Sequence, residues 1–153
     1  MRQRVAAGLL ALSAAGLIAI ASREGYRETA YVPVPGDRPT IGFGAANDIL
    51  PGDRTDPLRA LVRLGQDATD TERGLRACIG DVPLFTHEWD AYVSWAFNVG
   101  VGAACGSTLV RRLHAREYDA ACRELLRWDN FRGEPLRGLT LRRREEYRQC
   151  MGQ

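Results

Sequence analysis

Residues Val5–Ala21 form an unbroken uncharged run of 17, and no other part of the chain limits the available folds so sharply. That length is at the short edge of what spans a bilayer as a helix, and in water such a run must be buried against something. Arg2 and Arg4 precede it and no acidic residue does, which is the charge arrangement that keeps an N-terminus on the cytoplasmic side. Ala19-Ile20-Ala21 also fits the small-x-small rule for signal cleavage. The run is only weakly apolar. Its strong contributors are Val5, Leu9, Leu10, Leu12, Leu17, Ile18 and Ile20, together worth roughly −2 to −4 kcal/mol on an insertion scale. Three readings stay open: a cleaved signal, a permanent anchor, and an anchor that can later leave the membrane. Charge then returns abruptly, with Glu24 three residues after the run.

The remaining chain is long enough for one domain with a real core. A net charge of +2 gives no reason to expect nucleic acid as a partner, and all 21 basic residues are Arg, whose planar forked cation favours paired geometry. The four cysteines, Cys78, Cys105, Cys122 and Cys150, form no CxxC pair, and His87 and His114 are the only histidines. That spacing does not suit a metal site, so neither metal nor cofactor is expected. An even cysteine count behind an export-like N-terminus reads as two disulfides, with three pairings possible.

Turn chemistry and periodicity predict a mostly helical α+β body with one small β element near its start. Ser22-Arg23-Glu24 is expected to open a short helix carrying Tyr26, Ala30 and Tyr31 inward and ending before Pro33. Val34-Pro35-Gly36-Asp37 is a turn, and Thr40–Gly44 a short strand. Asp56-Pro57 caps a helix with Leu58, Leu61, Val62 and Leu64 as its apolar face, and a further helix starts at Thr71. Thr86 caps the clearest helix, with Trp89, Tyr92, Val93, Ala96 and Phe97 at helical spacing. Glycines 100 and 102 end it, and Ser107 caps the next. Tyr118–Trp128 and Leu139–Cys150 are helices, and residues 133–138 a loop.

No nucleophile elbow, zincin motif, P-loop or dinucleotide fingerprint is present, which leaves carboxylate chemistry. Glu24 follows the apolar run, and a carboxyl held against apolar surface can stay protonated and act as an acid. Asp37 and Thr40 lie on the hairpin, where they could orient water across a bound ligand. Paired carboxylates flanking a sugar are the machinery of glycoside hydrolysis.

The residues Glu24-Gly25-x-Arg27-x-x-x-Tyr31 and Thr40-Ile41-Gly42-x-Gly44 resemble the active-site segment of the phage-type lysozymes, or endolysins. Phe97-Asn98-Val99-Gly100-Val101-Gly102, Ser107-Thr108-Leu109 and Gly138-Leu139-x-x-Arg142-Arg143-x-x-Glu146 continue the likeness in order through residue 146. The resemblance implies a lysozyme-like fold, with a small hairpin subdomain and a helical domain. It implies a muramidase cleaving the β-1,4 bond between N-acetylmuramic acid and N-acetylglucosamine. Glu24 would be the general acid, and Thr40 with an aspartate would position water or steady the oxocarbenium charge. That aspartate departs from the family pattern: Pro33 stands two residues after Tyr31, and Asp37 is the nearest acid before Thr40. A lytic transglycosylase on the same bond, or a non-catalytic wall-binding module, is the alternative. Tyr31 and Asn98 would meet substrate or brace the cleft, and Arg142 and Arg143 would organise the site.

Some endolysins carry a weakly hydrophobic signal-anchor-release segment, exported uncleaved, which leaves the membrane when a holin collapses its potential. Residues 1–22 resemble such a segment, an N-terminal apolar helix ahead of a catalytic domain at 23–153. The resemblance implies export to the periplasm, tethering through residues 5–21 at the inner membrane, release, and action on peptidoglycan as a monomer, with the holin acting indirectly. Export suits disulfides. Of the three pairings, the expected one joins neighbours in the helical half, Cys78 with Cys105 and Cys122 with Cys150.

Overall fold

The apolar run does not form one helix. In the computed structural model, which describes residues 3–153, Val5–Ala6 is a strand, β1, and Ala7–Leu9 a single 3-10 turn. The first α-helix, α1, runs from Ala14 to Glu24. Arg2, expected to help set the membrane orientation, lies outside the described residues. The expected N-terminal apolar helix is not shown over this run, for two reasons. Ser13 caps α1 in mid-run, its side chain accepting from the Gly16 N–H at 3.0 Å, which fixes the helix start there. Ala7, Leu10, Gly16 and Ile20 are buried in the body, whereas Leu9 and Ile18 stay exposed, so tertiary packing overrides the linear pattern. Among the described residues no helix is long and apolar enough to cross a membrane.

α1 stops at Gly25, whose φ of 68° most residues resist and whose N–H returns to the Ala21 carbonyl. The helix expected from Ser22 therefore ends at Glu24 rather than running on through Tyr31, and a strand follows: β2 (Arg27–Tyr31) pairs antiparallel with β3 (Thr40–Gly42), placing Tyr31 opposite Thr40. Tyr26 and Tyr31 remain exposed rather than turned inward.

α2 (Pro57–Ile79) is one helix of 23 residues, capped as expected by Asp56, whose Oδ1 accepts from the Arg59 N–H at 2.9 Å. No second helix starts at Thr71, because its hydroxyl donates back to the Asp67 carbonyl within the same helix. The buried stripe is Ala60, Leu64, Ala68, Glu72, Leu75 and Ile79, while Leu58, Leu61 and Val62 face solvent. The apolar face is thus rotated from the one expected, onto small residues that let α2 approach the hairpin. Val82 and the short strand β4 (Pro83–Leu84) follow, and β4 pairs antiparallel with β1.

α3 (Thr86–Val99) is the centre of the body, buried without interruption from Glu88 to Ala96, the mark of a helix surrounded on all sides. Phe85 rather than Thr86 is its cap residue, and the Glu88 carboxylate accepts the Phe85 N–H at 2.8 Å. Gly100, at φ 90°, ends it as expected. Around it stand α4 (Val101–Cys105), α5 (Thr108–His114, capped by Ser107), α6 (Tyr118–Glu124) with a 3-10 turn over Leu125–Arg127, and α7 (Arg137–Cys150). The segment expected to be loop holds a hairpin, β5 (Asn130–Phe131) with β6 (Glu134–Pro135), and α7 begins two residues before Leu139. The disulfides are Cys78–Cys105 and Cys122–Cys150, the expected pairing. They tie α2 to α4 and α6 to α7. The architecture is α+β: a two-stranded hairpin beside a helical body that includes the N-terminal segment.

Candidate active site

Glu24 is the last residue of α1, and α7 delivers its partner. Arg142 donates through NH1 to Glu24 Oε1 at 3.0 Å, through Nε to Glu146 Oε1 at 3.2 Å, and through NH2 to the Ser94 carbonyl at 3.2 Å. Arg142 and Glu146 share one face of α7 at i,i+4 spacing. Glu146 is fully buried, as is Arg143, and these two are oppositely charged neighbours at 2.7 Å. The Ser94 hydroxyl donates to Glu146 Oε1 at 2.7 Å and accepts from Arg23 NH1 at 3.0 Å. One buried carboxylate thus holds two guanidinium groups, and one of these, that of Arg142, also reaches Glu24. Burial lowers the Arg143 pKa from its ordinary value, and Glu146 works against that shift.

The expectation that Glu24 rests on apolar surface is therefore replaced by an ion pair with Arg142. On its other side lies the hairpin. A Cβ at residue 44 would sit 3.0 Å from Glu24 Oε2, and Gly44 has φ 83°, so both the backbone and the carboxylate require glycine there. Tyr26 and Phe43 pack with their rings tilted at 54° and a centroid distance of 5.6 Å beside this turn.

Thr40 is half-buried on β3, its hydroxyl 3.4 Å from the Tyr31 carbonyl, a long contact that leaves the hydroxyl available to other partners. Asp37 is exposed at the hairpin tip. Its N–H donates to the Val34 carbonyl at 2.9 Å, and its Oδ1 accepts the Arg38 N–H at 2.8 Å. Tyr31 is exposed with the Arg27 guanidinium over its ring. Asn98 accepts from Arg143 NH2 at 2.9 Å, which ties the end of α3 to α7. Sequence reasoning missed Ser94 and Arg23 as parts of this network, and named Glu146 only within the family motif. The Arg142–Glu146 spacing was a readable signal, but Ser94 lies on a helix whose pattern reads only as core.

The arrangement can hold one carboxyl group beside an open hairpin, fixed on one oxygen by a guanidinium, with the other oxygen toward Gly44. A family model described as phage lysozyme matches residues 21–146. An endolysin from Acyrthosiphon pisum secondary endosymbiont phage 1 is 34% identical, over 88% of this chain and 94% of that protein. An endolysin from Bacillus phage B103 is 35% identical over 88% of this chain, which spans about half, 52%, of that relative's length. A protein named SAR-endolysin from Bacteriophage PS119 is 31% identical over 94% of this chain and 92% of its own. Among solved structures, the muramidase domain of SpmX from Asticaccaulis excentricus superposes with TM-score 0.84 at 28% identity, covering 93% of this chain and 98% of that one. The active form of the P1 phage endolysin gives 0.82 at 26% identity, over 95% and 87% of the two chains. The secreted inactive form of that endolysin gives 0.62 at 24%, over 93% and 96%.

Proposed function

The chain belongs to the phage lysozyme family, and from that premise we infer that it is an endolysin, a muramidase hydrolysing the β-1,4 bond between N-acetylmuramic acid and N-acetylglucosamine in peptidoglycan. The observation that carries this reading is the placement of Glu24: at the end of a helix, paired with Arg142, and backed by Gly44 on the hairpin. Glu24 is the general acid that protonates the leaving glycosidic oxygen. Arg142 holds the carboxyl in one orientation. The Thr40 hydroxyl orients the attacking water, and Asp37 steadies the developing oxocarbenium charge from the hairpin tip. Tyr31 and Asn98 line the cleft, and Arg143 braces it through Asn98 and Glu146. Glu24→Gln is expected to abolish muropeptide release from purified walls, with wall binding retained. Unimpaired release would overturn the assignment, and a protein that binds walls but never releases muropeptides is a binding module.

One observation keeps a second outcome in view. Asp37 Oδ1 is engaged by its own turn, and Pro33 occupies the family's aspartate position. Without an aspartate to assist water, the sugar's own hydroxyl closes on the anomeric carbon, as in a lytic transglycosylase. Mass spectrometry of the digest separates the two: reducing muramic ends mean hydrolysis, and anhydro ends transglycosylation.

The N-terminal segment is read as a releasable anchor, residues 1–22, ahead of a catalytic body at 23–153. The chain is exported to the periplasm uncleaved, tethered through residues 5–21 at the inner membrane, and released as a monomer when a holin, acting only indirectly, collapses the membrane potential. The SAR-endolysin likeness supports this. Mass spectrometry of the periplasmic protein tests it: an N-terminus at Ser22 would mean a cleaved signal.

A further inference from the structure

Three buried carboxylates take no part in the Glu24 site: Glu72 on α2, and Glu88 and Asp90 on α3. Each is occupied by the N-terminal segment. Arg4 donates to both oxygens of Glu88, through Nε at 3.1 Å and NH2 at 2.8 Å, and lies over the rings of Phe85 and Tyr118. The Leu12 N–H donates to Glu72 Oε1 at 2.7 Å, an oxygen that also accepts from Trp89 Nε1 and Arg76. Arg76 in turn donates to the Leu10 carbonyl at 2.6 Å. Ser13 gives Asp90 both its N–H, at 2.9 Å, and its hydroxyl. The same Ser13 oxygen accepts the Gly16 N–H that starts α1. Gly16 packs so closely that a Cβ there would stand 2.9 Å from Asp90 Cγ.

A buried carboxylate is tolerated only when its oxygens are bonded. Among the described residues, the side-chain hydrogen bonds of Asp90 all come from Ser13. The trio thus takes up Arg4, the Leu12 N–H and Ser13, and Asp90, through Ser13, stands at the N-terminal end of the helix whose last residue is Glu24. We propose that Glu72, Glu88 and Asp90 are positioning residues: they form a seat for residues 4–13 and, by fixing the first turn of α1, set the place of the Glu24 carboxyl at its far end. α1 has 11 residues, a rod of about 16 Å, so a shift at Ser13 is carried to Glu24. The inference rests on Glu24 being the acid, and does not depend on where the segment was before it docked.

The test compares full-length Asp90→Ala, Ser13→Ala and the double variant with the unaltered chain, by hydrogen exchange and by kcat and KM on soluble peptidoglycan strands. Leu113→Ala, a cavity variant on α5, controls for lost stability. In the Asp90 and Ser13 variants the amides of residues 10–17 and 23–25 are expected to exchange at least about ten-fold faster, with α5 unchanged. The kcat should fall about ten-fold with KM within about two-fold, and the double variant should lose less than the two single losses combined, since both remove the Ser13 hydroxyl–Asp90 bond. Unchanged exchange at residues 10–17 overturns the proposal. So does faster exchange with full kcat, an additive double variant, or an equal kcat loss in Leu113→Ala. If Asp90→Ala does not fold, Ser13→Ala decides alone, and normal exchange and kcat in it overturn the proposal. If the unaltered chain releases no muropeptides, the muramidase reading fails by itself, and exchange at residues 10–17 and 23–25 still decides the seat.

Discussion

At the scale of single residues, the site depends on close approaches that tolerate little added volume. Gly44→Ala adds a methyl 3.0 Å from Glu24 Oε2 at a residue with φ 83°. The backbone term alone is about 1–2 kcal/mol, and the carboxyl is displaced as well. Muropeptide release is expected to fall at least ten-fold while the melting temperature drops only a few degrees; an active Gly44→Ala protein would show that Glu24 has slack. A second expectation concerns Tyr92, buried with its hydroxyl 3.2 Å from Cys150 Sγ and 3.6 Å from Cys122 Sγ. Burial pushes the phenol pKa upward. A phenol harder to ionise when folded gives stability that is full below its unfolded pKa of about 10 and lost as pH rises above that. The chain should therefore unfold more readily in urea above about pH 10, by up to about 1.4 kcal/mol per pH unit from this group, and Tyr92→Phe should flatten that dependence.

At the scale of elements, α1 belongs to both the segment and the site. Deleting residues 1–21 removes β1, most of α1, and the buried side chains of Leu10 and Ile20. Those two side chains alone stabilise by about 3–6 kcal/mol, a large share of an ordinary folding free energy of about 5–15 kcal/mol. The truncated protein is expected to melt broadly and to release no muropeptides, and a cooperative, active truncation would contradict the packing described here. The elements also show what could be read from the residues. Caps that depend on one side chain, Asp56 and Ser107, were legible because their chemistry is local. The Glu24, Thr40–Gly44 and Arg142–Glu146 positions were legible through a family pattern. The fate of residues 4–13 was not, because a run of Ala, Gly and Leu has no period of its own, and the partners Glu72, Glu88 and Asp90 lie 60 or more residues away. For the same reason α2 was split and its face misplaced: Ala60 and Ala68 carry little hydrophobic signal, and what buries them is the neighbouring hairpin and body.

At the scale of the whole molecule, the two disulfides join elements separated by 27 and 28 residues. Closing loops of that size is worth about 3–4 kcal/mol each in the unfolded chain. Cys122–Cys150 is expected to matter more for activity, because α7, which it fastens, also carries Arg142 and Glu146. A Cys122→Ala/Cys150→Ala protein is expected to lose more activity at a given temperature than Cys78→Ala/Cys105→Ala, although the two should lose similar stability in urea. Equal losses of activity would mean that α7 is held by packing alone.

Leu9 and Ile18 are exposed at 81% and 65% in the folded protein, whereas Ala7, Leu10 and Ile20 of the same segment are buried. Leu9→Gln and Ile18→Gln should therefore leave the melting temperature within about a degree, since neither side chain fills the core. Their oiliness exceeds what this architecture consumes. The segment can be treated as two interleaved scripts, one set of letters spelling the folded body and another surplus to it, so that each can be rewritten without erasing the other.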